Sequence, residues 1–316
     1  MTAIRWGLIG AGWIATKAIA PAMHATPNAI VQAVASRDPK RSQSLNPITI
    51  HNSYEALLSD PLVDAVYISL PNHMHCEWTV KALNAGKHVL CEKPFAMNVA
   101  EVESMVQAAR DNNRILAEAV SSMWHPRMRR LVEHVRNGNI GELISIDSSF
   151  TFPAEIEGNY RNSPAMGGGA LYDVGVYPLH AIAALIGDDA KVEIESCDKN
   201  IGPTGIDLTS KWQMRIDGAI TATALASFQL PENQSLIVRG TKQSIELVGN
   251  QAFTSWHSPS TLRLGEKLED FEAADSYALM IESFGNKVNG LDRWVLPLET
   301  SLTVAKMLGQ LNGAHL

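Results

Sequence analysis

The sequence predicts an α/β domain with a parallel doubly wound sheet, followed by an α+β domain with a large, open and mostly antiparallel sheet. In the first 120 residues, short apolar runs alternate with helical patterns, which is typical of a parallel sheet covered by helices. From residue 121 onward, several alternating strands follow one another, which indicates antiparallel pairing. The 316 residues suffice for two hydrophobic cores. We therefore expect a dinucleotide-binding domain over 1–120 and a second domain over 121–316.

Each element of the first domain follows from a local pattern. Apolar runs between turn residues predict strands, and apolar residues at every third or fourth position predict helices. Ser53 is expected to cap the short helix 53–59, and Gly86 is expected to end the helix 75–84. The expected strands are 5–10, 30–36, 65–70, 87–91 and 115–119, and the expected helices are 13–23, 53–59, 75–84 and 99–112.

The second domain opens with an amphipathic helix over 126–137 that ends at Gly138, followed by a strand over 142–152. A glycine-opened helix is predicted over 167–185, and two helices, 277–289 and 298–311, close the chain. The strands expected between these helices are 193–197, 209–216, 219–228, 235–239 and 244–247.

Composition excludes several classes of partner and location. A net charge of −7 without a basic block argues against nucleic acid or a membrane surface as the main partner. The cluster Arg127, Arg129 and Arg130 is expected on the solvated face of a helix. Three cysteines without metal spacing suit a reducing cytoplasm, and neither a signal peptide nor a membrane-spanning stretch is expected. His73 and His75 lack partners at metal-ligand spacing, so no metal site is predicted.

The turn after the first strand predicts a dinucleotide site. Gly10 permits a tight turn, and Gly12 lets the backbone approach a pyrophosphate. The phosphates would lie on the N-terminus of the helix that begins with Trp13 and Ile14, where the helix dipole favours anions. A glycine-rich turn without a ligand is the alternative.

The end of the second strand favours NADP(H) over NAD(H). NAD sites usually carry an acid there for the ribose hydroxyls. This chain has Ser36 and Arg37, which can bind a 2′-phosphate, and Asp38 comes late for the usual acid. NAD(H) stays the alternative cofactor.

Lys93 follows an apolar run at the carboxyl end of a predicted strand. Ligand crevices in open α/β sheets lie at that edge. A lysine there can be partly desolvated, which suits it to acid/base chemistry. The alternative is a solvated lysine in a surface loop.

Taken together, four motifs resemble the Gfo/Idh/MocA family, which includes glucose–fructose oxidoreductase and inositol dehydrogenase. They occur in order over nearly the whole chain: Gly10-Ala11-Gly12, PNHMH at 71–75, AGKHVLCEKP at 85–94 and GGGALYDVGVY at 167–177. The resemblance implies a dinucleotide-binding domain followed by an open sheet that carries substrate contacts and oligomer interfaces. The implied partners are a small sugar-like substrate and a second copy of the chain, as a homodimer or homotetramer through the C-terminal sheet.

The resemblance also implies roles for residues beside the nicotinamide half of the cofactor. Lys93 would lie next to the substrate, and the peptide bond before Pro94 is often cis in this family. The other residues implied to line the cofactor are Leu70, Pro71, Asn72, His75 and Glu92.

Tyr177 stands where the inositol dehydrogenase branch has a catalytic histidine. In this respect the chain resembles the mostly NADP(H)-dependent branch of glucose–fructose oxidoreductase, D-xylose dehydrogenase, dimeric dihydrodiol dehydrogenase and ketosugar reductases. A free tyrosine has a pKa about three units above neutrality, and an ammonium such as that of Lys93 would lower it. The implied catalytic pair is Lys93 and Tyr177, and either residue could carry the proton.

Three more residues accompany Tyr177. Asp173 is implied as a third catalytic residue that faces the same substrate pocket as Lys93, with a helix-capping or structural carboxylate as the alternative. Arg161 is expected to bind substrate or cofactor, or else to form a surface salt bridge. His180 is expected to contact a substrate hydroxyl, or else to be an ordinary buried histidine.

The expected activity is hydride transfer between NADP(H) and a sugar or sugar-like alcohol or carbonyl, by an aldose dehydrogenase or a ketosugar reductase. Three alternatives stay open. They are an activity like that of trans-dihydrodiol dehydrogenase, a non-catalytic NADP-sensing regulator, and a hydrolase that uses NAD internally.

Overall fold

The computed structural model describes residues 2–187 and 189–313. These residues form two compact units. The first unit contains residues 2–121 and 275–298, and the second contains 122–187, 189–274 and 299–313.

The first unit is built on a six-stranded sheet with the order β3-β2-β1-β4-β5-β6. In the described part of the chain every pairing in this sheet is parallel, which confirms the predicted doubly wound fold. Strand order reverses between β1 and β4, and ligands bind at the carboxyl edge beside such a reversal. The strands are β1 (Ile4–Ile9), β2 (Ala29–Ala35), β3 (Thr49–His51), β4 (Ala65–Ile68), β5 (His88–Glu92) and β6 (Leu116–Ala119).

The helices that alternate with these strands along the chain pack on the sheet. Ser53 caps α3, since its hydroxyl accepts a hydrogen bond from the Ala56 amide at 3.0 Å, as the sequence predicted. Strand β3 and helix α2 were not predicted. The helices are α1 (Ala20–Ala25), which continues a π-helical segment over Ala15–Ile19, α2 (Pro39–Ser44), α3 (Tyr54–Leu58), α4 (His75–Asn84) and α5 (Val99–Asp111).

The second unit contains an eight-stranded sheet with the order β14-β13-β12-β11-β7-β10-β9-β8. Strands β7 and β10 pair in parallel, and the other described pairs are antiparallel. The strands are β7 (Leu143–Thr151), β8 (Val192–Ile201), β9 (Asp207–Ile216), β10 (Ile220–Ser227), β11 (Asn233–Gly240), β12 (Ser244–Val248), β13 (Ser260–Leu264) and β14 (Lys267–Phe271).

The helix predicted to begin at residue 167 begins at residue 170 instead. Gly167 and Gly169 have φ angles of +77° and +112°, in the left-handed region that ends or precedes a helix. A π-helical segment, Leu171–Gly175, then leads into α7 (Val176–Ile186). The stretch Pro164–Ile186 is long and apolar enough to cross a membrane by length and composition alone, so the expectation that no such stretch occurs was wrong; 83% of its most apolar window is buried inside the structure.

Helix α6 (Pro126–Arg136) corrects one expectation about the basic cluster. Arg127 is buried rather than solvated, and its guanidinium donates to the carbonyl oxygens of Val248 at 3.2 Å and Gln251 at 2.8 Å. Burial lowers the pKa of Arg127 to about 10. The five donors of a guanidinium allow one arginine to satisfy several loop carbonyls at once, which explains its buried position.

Helix α8 (Ser276–Val288) packs in the first unit although it follows the second sheet in sequence. The Phe284 ring lies 5.4 Å from the Trp6 ring of β1, and Asn286 accepts a hydrogen bond from Asn28 at 2.8 Å. Helix α9 (Leu298–Gly313) packs almost entirely in the second unit. The predicted domain 121–316 thus contains a segment, 275–298, that belongs to the first unit.

Candidate active site

The glycine turn after β1 packs closely against the residue that follows β4, which leaves no room for a side chain at Gly10. Gly10 has a φ of +96°, and a Cβ atom there would lie 2.7 Å from the carbonyl oxygen of Ser69. The helix that begins at Trp13 closes its first turn when the Thr16 amide donates to the Gly12 carbonyl at 3.1 Å. No acidic side chain occurs in residues 12–16, so nothing there competes with an anion at the helix N-terminus. These features fit the pyrophosphate of a dinucleotide.

Two side chains flank the glycine turn. The Trp13 side chain is 65% exposed, and Ile14 is half-buried. They therefore lie at the surface of the first unit, beside the turn.

The end of β2 presents an exposed arginine and no available carboxylate. The Ser36 hydroxyl bonds the Asp38 carbonyl and the Ser42 hydroxyl, each at 2.8 Å. Asp38 caps α2, because its carboxylate accepts from the amides of Lys40 and Arg41. Since both side chains already have partners in the turn, Arg37 is better placed to meet a 2′-phosphate.

Burial and hydrogen bonds hold the segment after β4, residues 70–75, in place. Asn72 is buried, and the carbonyl of Pro71 accepts from the Met74 amide at 2.9 Å. His75 is fully buried, with Nε2 2.9 Å from the Leu70 carbonyl oxygen. Its other nitrogen, Nδ1, lies 2.8 Å from the carbonyl oxygen of Pro94, so His75 connects this segment to the one that carries Lys93.

Lys93 lies in the turn after β5 and is half-buried. The Lys93–Pro94 peptide bond is cis, as the family resemblance implied. The Lys93 amide donates to the Glu92 carboxylate at 3.1 Å, and the Tyr67 hydroxyl donates to the other Glu92 oxygen. The Phe95 amide donates to Glu118 at 3.0 Å. The backbone amides of Lys93 and Phe95 are therefore both bonded to buried glutamate side chains.

Burial raises the pKa of Glu92 to about 7, with the negative charge of Glu118 acting in the same direction and the charge of Lys93 opposing it. The ordinary value is 4.5, so between these values the folded chain holds a proton that the unfolded chain releases. The stability that this proton confers is present below pH 4.5 and is lost as the pH rises through about 7.

We therefore expect the free energy of unfolding to fall by roughly 3 kcal/mol between about pH 4.5 and about pH 7 through this group. Glu92→Gln should remove this dependence, because an amide does not titrate. Urea denaturation at several pH values across this window measures the effect, with the exposed Glu103→Gln as the control. An unchanged pH profile in Glu92→Gln would contradict the assignment.

In the second unit, Arg161 and Asp173 form an ion pair. The Arg161 Nε donates to the Asp173 carboxylate at 2.7 Å, and the Asp173 side chain is only 5% exposed. Although burial opposes it, the charge of Asp173 raises the pKa of Arg161 above its ordinary value. A Cβ at Gly168 would collide with the carbonyl oxygen of Arg161, so a glycine is required where these two segments meet.

Tyr177 and His180 lie on α7 in different surroundings. The Tyr177 ring packs at 5.1 Å from Phe150 and 5.8 Å from Phe253, and the residue is half-buried. His180 is fully buried. Tyr177 thus retains access to solvent, whereas His180 has none in the second unit.

Sequence reasoning missed several residues that build these surroundings. A carboxylate within an apolar strand was a signal for Glu118, whereas nothing local marked Tyr67 or Asp207. The Asp207 carboxylate accepts from the Leu171 amide at 2.7 Å and so holds the start of the helix that bears Asp173 and Tyr177. Within the described residues, no group of three or more metal-ligating side chains is found.

Comparison with known protein families gives a match in each of the two units. Residues 4–120 match the GFO/IDH/MocA model, an oxidoreductase family with an NAD-binding Rossmann fold. Residues 128–246 match the GFO/IDH/MocA C-terminal domain.

Relatives match over almost the whole chain. An uncharacterized oxidoreductase from Rhizobium meliloti is 34% identical and aligns over 98% of this chain and 96% of its own length. A D-xylose 1-dehydrogenase (NADP(+)) from Haloferax volcanii is 31% identical, over 96% of this chain and 94% of its own. The crystal structure of a 3-ketoreductase from Actinomadura kijaniata, in complex with NADP and TDP-benzene, has a TM-score of 0.89 at 29% identity and covers 98% of this chain and 97% of that chain. The chain therefore belongs to the Gfo/Idh/MocA family of oxidoreductases.

Proposed function

We propose that the protein is an NADP(H)-dependent oxidoreductase that transfers hydride between nicotinamide and a sugar or sugar-like alcohol or carbonyl. It would act as an aldose dehydrogenase or a ketosugar reductase. The observation that carries the proposal is the glycine turn at Gly10 and Gly12, which opens a helix at the carboxyl edge of the parallel sheet, where strand order reverses between β1 and β4. The relatives named for D-xylose oxidation with NADP(+) and for ketone reduction support the substrate class.

The chain's own residues would divide the work as follows. The backbone at Gly10 and Gly12 would bind the phosphates beside Trp13 and Ile14, and Arg37 would bind the 2′-phosphate. NADP(H) would supply or accept the hydride at its nicotinamide. The proposed nicotinamide-side residues are Leu70, Pro71, Asn72, His75, Glu92 and Lys93.

Hydride transfer to a carbonyl leaves a negative charge on the substrate oxygen, which takes up a proton, and hydride removal from an alcohol requires that the hydroxyl proton be accepted. Lys93 and Tyr177 are the proposed acid/base pair, with Asp173, Arg161 and His180 as further proposed site residues. Lowering a tyrosine pKa by about two units requires roughly 2.7 kcal/mol of preferential stabilisation of the phenolate. An ammonium such as that of Lys93 is a suitable source of that stabilisation.

Cofactor preference gives a direct test of Arg37. Arg37→Ala should raise the Kd of NADPH about tenfold and leave that of NADH unchanged, because a charge-assisted hydrogen bond contributes about 1.5 kcal/mol or more. Fluorescence titration with both cofactors measures this, and the exposed Arg110→Ala serves as the control. Equal weakening of both cofactors would place the 2′-phosphate elsewhere.

A substrate screen tests the proposed activity. Aldoses with NADP⁺, ketosugars with NADPH and an aromatic trans-dihydrodiol with NADP⁺ would be assayed by NADPH absorbance. We expect turnover with a sugar. Turnover with the dihydrodiol alone would support the second candidate, and tight NADPH binding without turnover would indicate a regulator. Glycoside cleavage without net NADPH production would indicate a hydrolase.

Location and assembly are also part of the proposal. We place the protein in the cytoplasm, without a metal, nucleic acid or membrane as partner, and as a homodimer or homotetramer formed through the C-terminal sheet. The assignment of cofactor binding to the domain that contains residues 1–120, and of substrate binding and oligomerisation to the domain that follows it, is likewise a proposal. Light scattering on the purified protein measures the number of copies.

A further inference from the structure

Three consecutive residues, Lys93 to Phe95, are each bonded through the backbone to a buried ionisable side chain. The Lys93 amide donates to Glu92 at 3.1 Å, and the Phe95 amide donates to Glu118 at 3.0 Å. Between them, the Pro94 carbonyl oxygen lies 2.8 Å from His75 Nδ1. Glu118 is 1% exposed and His75 is 0% exposed. The backbone on both sides of the Lys93 side chain is therefore anchored.

The three anchoring side chains come from three different elements. Glu92 ends β5, Glu118 lies in β6, and His75 begins α4. A shift of residues 93–95 relative to any one of these elements would break at least one of the three bonds. The tripeptide is thus bonded both to the sheet and to the helix packed on it.

Two of the anchors make a second polar contact. Glu92 accepts from the Tyr67 hydroxyl, and the second nitrogen of His75 lies 2.9 Å from the Leu70 carbonyl oxygen. The His75 ring cannot rotate without losing both contacts. Side chains locked in this way transmit the geometry of the sheet to the turn that they hold.

Burying ionisable groups is costly, and backbone hydrogen bonds alone suffice to anchor most turns. Three such groups on one tripeptide point to a requirement for precision at Lys93. We propose that Glu118 and His75 are positioning residues that, with Glu92, fix the backbone of residues 93–95 and thereby aim the Lys93 ammonium. This inference rests on the proposed function, in which Lys93 takes part in turnover.

A substitution at Glu118 tests the proposal in the full-length protein. Glu118→Met removes the acceptor for the Phe95 amide at similar volume, and it should lower kcat about 10²-fold, because a small misplacement of a reacting group has effects of that size. The Kd of NADPH and the KM of the sugar should change less than about threefold. Glu118→Gln keeps an oxygen that can accept the same bond, so it should restore most of kcat.

A matched control is available in the same region. The Glu101 carboxylate also accepts a backbone hydrogen bond, from the Met97 amide at 2.9 Å. Glu101→Met should leave kcat near the wild-type value. Glu118→Asp is a second variant, for use if Glu118→Met fails to fold. It keeps the charge but shortens the side chain, and it should also lower kcat.

The outcomes separate this inference from the proposed function. Wild-type kcat in a folded Glu118→Met or Glu118→Asp variant would overturn the positioning role, provided that Lys93→Met is inactive. A Glu118→Gln variant as impaired as Glu118→Met would also overturn it, because the charge and not the bond would then matter. Full activity of Lys93→Met would instead overturn the proposed function itself.

Discussion

Lys93→Met and Tyr177→Phe are each expected to lower kcat by about 10³-fold, within the range that positioned acid/base groups contribute. Each change removes one group and little else. Methionine keeps the length of the lysine side chain without its ammonium. Phenylalanine keeps the ring of Tyr177 packed against Phe150 and Phe253 and loses only the hydroxyl. The Kd of NADPH should therefore change less than about threefold.

Steady-state kinetics with a sugar identified in the substrate screen, together with NADPH titration, measures both effects. Lys81→Met and Tyr54→Phe are matched controls in other parts of the first unit, and they should keep wild-type kcat. Full activity in both Lys93→Met and Tyr177→Phe would exclude the proposed proton transfer. Loss of NADPH binding in either variant would indicate a cofactor role or misfolding instead.

Arg161→Met is expected to destabilise the second unit by about 3 kcal/mol, the lower end of the range for breaking a buried ion pair. The substitution leaves the Asp173 carboxylate, which is only 5% exposed, without the Nε donor at 2.7 Å. Asp173→Asn should cost less, because the asparagine oxygen still accepts from Arg161 and the arginine is partly solvated.

Urea denaturation followed by circular dichroism measures these differences. Arg215→Met is the control, since its ion pair with Glu195 at 2.8 Å is about one-third exposed on both sides and should contribute less than about 1 kcal/mol. Unchanged stability of Arg161→Met combined with lost turnover would show that the pair acts on substrate or cofactor rather than on the fold.

The sequence predicted best those features that depend on neighbouring residues. Helix α4 has the predicted bounds, because its apolar period and the glycine after it are local signals. The same holds for the glycine turn and for the cis bond before Pro94, which the family motif implied. The helix start at residue 167 was wrong, because the left-handed glycines beside it carry no apolar period that would mark a boundary.

Features that depend on distant residues were missed. Tyr67 and Glu92 are 25 residues apart, and Phe95 and Glu118 are 23 apart, so only strand pairing brings them together. For Arg161 the sequence left a ligand contact and a salt bridge open, and the structure shows a salt bridge to Asp173. Buried Arg127 was missed for the same reason, since its carbonyl partners lie more than 120 residues away.

The packing of α8 has a consequence for how the chain folds as it is synthesised. Trp6 emerges from the ribosome well before its ring partner Phe284, which follows nearly 280 residues later. The core of the second unit likewise depends on α9, which is synthesised after the rest of that unit. Contacts of such long range close slowly. Both cores therefore stay incomplete, with apolar surface exposed to chaperones or to aggregation, until α8 and α9 have been synthesised.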